Sequence, residues 1–302
     1  MMKSYKFDSQ RGNYIVKPKK ITLAYFSGTG CTKEVCLCFA QELTKKGLES
    51  KTINLESHDP EKLKQPDLLV IFSPVYAFRL ASITEKWVKG LPKSNRTMVA
   101  VVPVSGGGDI SPNTACTIAC RRILKKKGYH VIYERMIVMP SNFGVDAGRE
   151  INLQLLHRLP EKTKEMIEDI LTGEHHFLLA KPRDRFLAML GKGEHLGAGL
   201  FGASIQPSAK CTHCGLCSQK CPACNIKMKR GMPRFGFRCI WCLRCIYACP
   251  VHALKPRILS SVVLKDGFHL QELKKQDYKN FDPDQTNFNQ NRAWKGVSEY
   301  LK

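Results

Sequence analysis

Short apolar runs alternate with amphipathic stretches between residues 21 and 139. The run 68–72 is continuously apolar, which is typical of a parallel strand covered on both faces. Further strands are predicted at 21–26, 52–55, 98–104 and 131–139. Val35, Phe39 and Leu43 repeat at helical spacing, and helices are also predicted at 82–90, 112–127 and 149–172. This order predicts an α/β fold with a doubly wound parallel sheet of about five strands.

The rest of the chain changes character at two points. A glycine-containing stretch at 175–205 is predicted to be a linker that packs locally, with a short amphipathic helix at 185–190; a membrane-surface helix is the alternative. Residues 206–258 form a cysteine-rich module, and 259–302 form a C-terminal extension. The extension contains a polar loop at 277–292 and a helical stripe of Trp294, Val297 and Leu301. With a first domain at 20–174, two domains are expected.

Composition narrows the class of protein. The 302 residues are 43% hydrophobic and 25% charged, which excludes disorder over most of the chain. The sequence contains no apolar run long enough to predict a transmembrane segment, and its first twenty residues lack the apolar core of a secretory signal. We therefore expect a cytoplasmic protein, where fourteen cysteines favour metal or redox ligation over disulfides.

The cysteines form two similar runs in 206–258. Each run has the spacing C-x2-C-x2-C-x3-C-P, which is typical of [4Fe-4S] ligation. Since the fourth cysteine of each run serves the other cluster in two-cluster proteins, the predicted ligand sets are Cys211, Cys214, Cys217 and Cys249, and Cys239, Cys242, Cys245 and Cys221. Structural zinc, the alternative, usually takes two separated cysteine pairs. The module resembles bacterial-type two-cluster ferredoxins, which implies a small ferredoxin-like α+β domain.

Three further features of the module, a lone cysteine, a tryptophan and the excess of basic residues, have simpler explanations. Cys224 lies outside both runs and is predicted to be a small buried residue or a spare thiol. Trp241, between two ligands, is predicted to shield a cluster from water. Residues 206–258 carry ten basic and no acidic residues. Part of this charge is expected to be a solvated face, and the remainder favours a redox partner with an acidic docking face.

Three loops point to a flavin. Glycine and hydroxyl residues after the first strand can present backbone N–H groups to a phosphate at a helix N-terminus. The third strand ends with an aromatic residue, and the fourth with glycines that allow close approach of a flat ring. The candidate residues are Ser27, Gly28, Thr29, Gly30, Cys31, Thr32, Pro74, Val75, Tyr76, Ser105, Gly106, Gly107 and Gly108.

These loops resemble those of flavodoxin, which implies a flavodoxin-like sheet and an FMN site. Cys31 departs from the Asn, Ser or Thr usual there, and a thiol at a helix N-terminus is expected to have a lowered pKa. Together with the cysteine runs, the chain resembles the EFR-type flavodoxin–ferredoxin fusion family. Matching stretches include 25–30, 74–76, 139–143 and 225–228.

Three functions remain open on the sequence. The first is electron transfer between two [4Fe-4S] clusters and FMN with protein partners, and we favour such a carrier over an enzyme. The alternative is a flavin-dependent reductase of a quinone or nitro compound, fed by the clusters. The third is nucleic-acid binding, supported only by the net charge of +22; no specific nucleic acid is expected.

Overall fold

The computed structural model describes residues 5–8, 13–95, 97–190, 194–276 and 294–302, so the predicted loop at 277–292 lies outside the described residues. Its strands, β1 to β13 in chain order, are Tyr5–Asp8, Asn13–Val16, Ile21–Tyr25, Ser50–Asn54, Leu68–Tyr76, Arg79–Leu80, Met98–Ser105, His130–Glu134, Ile137–Val138, Ile205–Pro207, Ile226–Lys229, Met232–Phe235 and Leu254–Pro256. Its helices, α1 to α10, are Cys31–Lys45, Ser82–Gly90, Ile118–Lys126, Arg149–Thr172, Pro182–Leu190, Glu194–Ser204, Leu216–Gln219, Arg244–Tyr247, Leu270–Lys275 and Lys295–Leu301.

The central sheet has the strand order β4-β3-β5-β7-β8, and these five strands are parallel. Counted along these five strands, the order is 2-1-3-4-5, which is the flavodoxin-like doubly wound arrangement. Two short strands extend it: β6 pairs antiparallel with β5, and β9 pairs parallel with β7. The predicted fold class is therefore confirmed for this part of the chain.

Strand β5 is apolar on both faces because helices cover both sides of the sheet. Leu68, Val70 and Phe72 belong to a core that also contains residues of α1 and α4. Leu69 and Ile71 point the other way, into a core with residues of α2 and α3. The period of two along a strand thus divides one continuous apolar run between two cores.

The elements differ from the sequence expectation at three places. The strand predicted at 131–139 is two strands, β8 and β9, since the chain leaves the ladder after Glu134 and returns at Ile137. The helix predicted at 112–127 begins as a 3₁₀ turn, and α3 starts only at Ile118. The linker region contains two helices, α5 and α6, of which the sequence predicted only part of the first.

The cysteine-rich module consists of two antiparallel strand pairs, β10 with β13 and β11 with β12, and two one-turn helices. Its halves repeat with a spacing of 28 residues, which relates α7 to α8. Backbone conformation follows the repeat: His213 and Trp241 both have φ 59°, and Cys224 and His252 both have φ 47°. The two cysteine loops are therefore two copies of one local structure.

The module and the sheet share a hydrophobic core. Phe201 and Ile205 at the end of the linker region, and Leu243 and Ile246 of the module, belong to the same buried cluster as the α1 side of the sheet. Among the described residues, no helix has the length and apolar character needed to cross a membrane.

Helix α10 packs against β9 and α4. Val297 is fully buried against Val138, Ile151 and Leu155, so the C-terminal stripe packs as predicted. Gly296 lies against the loop after β7. A Cβ at Gly108 would lie 2.6 Å from the carbonyl carbon and oxygen of Gly296, and a Cβ at Gly296 would collide with the carbonyl oxygen of Gly107. This close backbone contact requires glycine on both sides.

We expect the Gly296→Ala variant to be destabilised, although alanine normally stabilises a helix by about 1 kcal/mol relative to glycine. The added Cβ would force α10 away from the loop, so the free energy of unfolding should fall by about 1–3 kcal/mol in urea titrations. Ser298→Ala on the same helix is the control and should be neutral or stabilising. A stabilised Gly296→Ala protein would contradict the contact.

Candidate functional site

A cleft of about 600 Å³ lies where β3, β5 and β7 end. The carboxyl ends of parallel strands at the switch in strand order are the usual ligand site of this architecture. The structure brings most of the predicted loop residues together on its wall. They are Ser27, Gly28, Thr29, Cys31, Thr32, Pro74, Val75, Tyr76, Ser105, Gly106 and Gly107.

Two predicted residues do not line the cleft. Gly30 has φ 114° and precedes α1, and its Cα faces Leu270 of α9. Gly108 faces Gly296 of α10. Both glycines serve the packing of later helices onto the loops.

Two hydrogen bonds hold the loop after β3 in place at the start of α1. The backbone N–H of Gly30 donates to Ser27 Oγ at 3.1 Å, and Asn142 Nδ2 donates to Thr29 Oγ1 at 2.7 Å. Helix α1 begins at Cys31 with no side chain capping its first turn. The first-turn N–H groups of a helix have no partner within the helix, and together with its dipole they favour an anion.

The expected lowering of the Cys31 pKa is wrong. Burial raises the pKa of the Cys31 thiol to about 12, and the charge of Glu34 adds to this. The thiol lies 3.7 Å from the carbonyl oxygen of Pro140. Cys31 is therefore a neutral wall residue of the cleft.

Sequence reasoning missed about half of the cleft wall. The largest part is the segment after β9, whose Met-Pro-Ser-Asn stretch the family resemblance places toward the cofactor face without a specific role, and which lies on the cleft wall. Asn113 has no local signal in the sequence, whereas Trp241 and Trp294 carry other predictions, as a shield of a cluster and as part of a packing helix. The missed residues are Ala77, Phe78, Val104, Asn113, Met139, Pro140, Ser141, Asn142, Phe143, Gly144, Val145, Trp241, Leu259, Val262 and Trp294.

The two predicted cysteine sets each surround one small cavity. The first cavity is lined by Cys211, Cys214, Cys217 and Cys249. The second is lined by Cys221, Cys239, Cys242 and Cys245. The exchange of the fourth cysteine between the runs is thus present in the fold. Cys224 lines neither cavity and is exposed, so the prediction of a spare thiol fits and that of a buried residue does not.

Backbone N–H groups point at the sulfurs in both sets. Asn225 N donates to Cys221 Sγ, and Ala253 N donates to Cys249 Sγ, both at 3.3 Å. All the cysteines are free thiols in the structure. Among the described residues, no group of three His, Cys, Asp or Glu side chains is arranged to hold a single metal ion. Each cavity has the four sulfur donors that a cubane cluster requires, so the residues fit such a group.

The two sets differ in environment. Cys214 of the first set is exposed, whereas Cys242 of the second set is buried. Burial raises the pKa of the Cys242 thiol to about 12. The first set therefore has one member at the surface, whereas the second has one in the interior.

The second cysteine set lies next to the cleft. Trp241, between the ligand positions Cys239 and Cys242, lines the cleft and stacks edge-on with Phe143, with ring centroids 5.8 Å apart. On the other side, Gly28 packs against Cys242: a Cβ on Gly28 would lie 2.9 Å from the Cys242 carbonyl oxygen and 2.5 Å from Tyr76 Oη. One residue layer separates the second cysteine set from the cleft.

Arg244 fastens this contact. Its guanidinium forms a two-point ion pair with Glu56 at 2.5 and 2.7 Å. It also donates to the carbonyl oxygens of Ser27 at 2.5 Å, Gly28 at 2.9 Å and Lys220 at 3.1 Å. Burial lowers the pKa of Arg244, but its hydrogen bonds and charge interaction with Glu56 outweigh this and raise the pKa overall. A planar fork of donors suits this set of acceptors, and a lysine would reach only part of it.

The chain matches no protein-family model and no curated protein. Similar solved structures include a flavodoxin from Streptococcus pneumonia, 18% identical over 50% of this chain and 99% of that one, with a TM-score of 0.37. Oxidised flavodoxin 2 from Bacillus cereus is 15% identical over 50% of this chain and 99% of its own, with a TM-score of 0.38. The apo form of an NADH:FMN oxidoreductase is 14% identical over 55% and 94%, with a TM-score of 0.39. The fold assignment rests on the strand order of the sheet itself.

We expect Arg244→Lys to lower the free energy of unfolding by about 1–3 kcal/mol, because it keeps the charge and loses the fork that spans Glu56 and three carbonyls. Urea titration measures the change. Arg257→Lys, at an exposed position of the same module, is the control and should be within about 0.5 kcal/mol of the parent. Equal stability of the two variants would contradict the role of Arg244.

Proposed function

We propose that this protein transfers electrons between an FMN held in the cleft and two [4Fe-4S] clusters held by the two cysteine sets. We further propose that it belongs with the EFR-type flavodoxin–ferredoxin fusions and works in the cytoplasm with protein redox partners that carry an acidic docking face. The chain would then consist of a flavin domain at 20–174, a linker at 175–205, a cluster domain at 206–258 and an extension at 259–302.

One observation carries the proposal. Cys242 of the second set packs against Gly28 of the predicted phosphate loop, and Trp241, which stands between Cys239 and Cys242 in the chain, lines the cleft. A structural metal site would gain nothing from this placement. Adjacent redox groups need it, because electrons pass only over short distances between them.

Each part of the wall has a role in binding. The loop 27–32 would hold the phosphate by its N–H groups and hydroxyls. Tyr76 and the loop 105–107 would hold the flat ring between them, and Trp241 would close the side toward the cysteines. Burial raises the pKa of Tyr76, so that ring remains neutral. When bound, FMN can exchange one or two electrons and each cluster exchanges one.

The first experiment is a cofactor count on protein purified without oxygen. We expect roughly eight iron, eight acid-labile sulfide and one FMN per chain. Iron and sulfide without flavin, even after FMN is added, would reject the flavin half of the proposal. Two zinc ions in place of iron would reject the cluster half.

A matched pair of cysteine variants tests the ligand assignment. Cys242→Ser removes one buried member of the second set, so we expect iron to fall from roughly eight to roughly four per chain. Cys224→Ser removes the exposed thiol outside both sets and should leave the iron content unchanged. Circular dichroism checks that both variants are folded. Loss of iron in both variants, or in neither, would contradict the assignment.

A further inference from the structure

The strand pair β11–β12 carries a cluster of positive charge with no ion pair among the residues that the structure describes. Lys227, Lys229, Arg230 and Arg234 are exposed, and we call them the basic hairpin. Lys227 lies directly opposite Arg234 in the ladder. Like charges directly opposite each other destabilise an antiparallel pair. No acidic residue occurs in 206–258 to offset them.

The turn of this hairpin contains an arginine at a position where its backbone conformation is unfavourable. Arg230 and Gly231 form a two-residue connection in which both have positive φ, 51° and 75°. Asparagine, aspartate or glycine is usual at the first position of such a turn, since a long side chain with positive φ is unfavourable. A cation therefore occupies the tip of the hairpin at a cost to the backbone.

The hairpin lies on the first cysteine set. Met228 and Pro233, which face each other across the ladder, line the cavity of that set. Because side chains alternate along a strand, Lys227, Lys229 and Arg234 belong to the opposite face. The tip is also close to the first cysteine loop: a Cβ on Gly231 would lie 3.8 Å from His213 Nδ1. The next residue in that loop is the exposed Cys214.

We propose that the basic hairpin is the docking surface for an acidic redox protein, and that electrons enter or leave the chain at the first cysteine set beneath it. This inference rests on the proposed function. A reduced acidic partner of the ferredoxin class gives up one electron and is oxidised by one; the group held by Cys211, Cys214, Cys217 and Cys249 is reduced by one. The reverse transfer balances in the same way.

The position of the charge favours a protein over a nucleic acid. The four cations form a compact patch at one hairpin, beside an exposed sulfur ligand, and that location brings a redox partner within reach of the first set. Nucleic-acid binders align cations along a groove or helix to follow phosphates. In the second set, which lies next to the cleft, Cys242 is buried and none of the four cysteines is exposed as Cys214 is.

The test uses the purified full-length protein with its cofactors and an acidic bacterial ferredoxin as the probe. The hairpin variant carries Lys227→Glu, Lys229→Glu, Arg230→Glu and Arg234→Glu. The control variant changes net charge equally on the sheet domain, with Lys89→Glu, Arg122→Glu, Lys125→Glu and Lys126→Glu, all at exposed positions. Calorimetry gives the Kd for oxidised ferredoxin at low and physiological ionic strength. Stopped-flow absorbance gives the rate at which reduced ferredoxin reduces the protein.

We expect the hairpin variant to bind ferredoxin at least about tenfold more weakly and to accept electrons correspondingly slowly, while the control variant changes much less. Binding by the parent should weaken as salt is added. A basic c-type cytochrome should not bind. Reduction by dithionite, which needs no docking, should be the same in all three proteins.

Other outcomes overturn the inference in distinguishable ways. Equal loss of ferredoxin binding in both variants would mean that only overall charge matters. Tighter binding of a DNA duplex than of ferredoxin at physiological salt, lost in the hairpin variant, would assign the surface to nucleic acid. Absence of iron from the parent would reject the proposed function itself, whereas a full cofactor content with unaffected docking would reject the hairpin alone.

Discussion

The hydrogen bonds of the Arg244 guanidinium join the cysteine-rich module to the loops at the end of the sheet. It lies in the middle of the second cysteine run, and it binds Glu56 after β4 together with the carbonyls of Ser27 and Gly28 after β3. A buried ion pair alone contributes little net stability, because desolvation opposes the attraction. The arrangement instead determines relative position. Five donors in one plane set both the distance and the angle between the second cysteine loop and the loop after β3.

The internal repeat of the cysteine module is broken by this contact. The two loops have matching φ angles and matching N–H to sulfur bonds, so their local structures are alike. Their surroundings are not alike. At the positions related by the repeat, His213 is exposed whereas Trp241 is packed between the second set and the cleft. Only the second copy of the motif packs against the sheet. The two copies therefore have different surroundings, one at the surface and one in the interior.

Local patterns made the fold predictable, whereas long-range contacts set the site. Strand β5 was readable because its apolar run reflects burial on both faces, and the cysteine sets were readable because ligand spacing is encoded within one segment. The prediction for the glycines after β7 is correct only in part. Gly107 lines the cleft, while Gly108 packs against α10, a helix almost two hundred residues later. Arg244 has no signal in the sequence, because the groups that it binds lie far away along the chain. Trp241 and Trp294 carry other predictions, but their place on the cleft wall depends on contacts that are equally distant in sequence. Cys31 was misjudged because its burial outweighs the helix terminus.

The wall of the cleft extends from Ser27 to Trp294 along the chain. During synthesis the sheet strands β3 to β8 emerge first and can pair before the cysteine module exists. The tryptophan side of the wall arrives with Trp241, and the last aromatic ring arrives only when residue 294 has left the ribosome. A nascent chain therefore presents an open groove for most of its synthesis, and capture of a ligand in the finished cleft is a late event, after the domain that forms its floor has already folded.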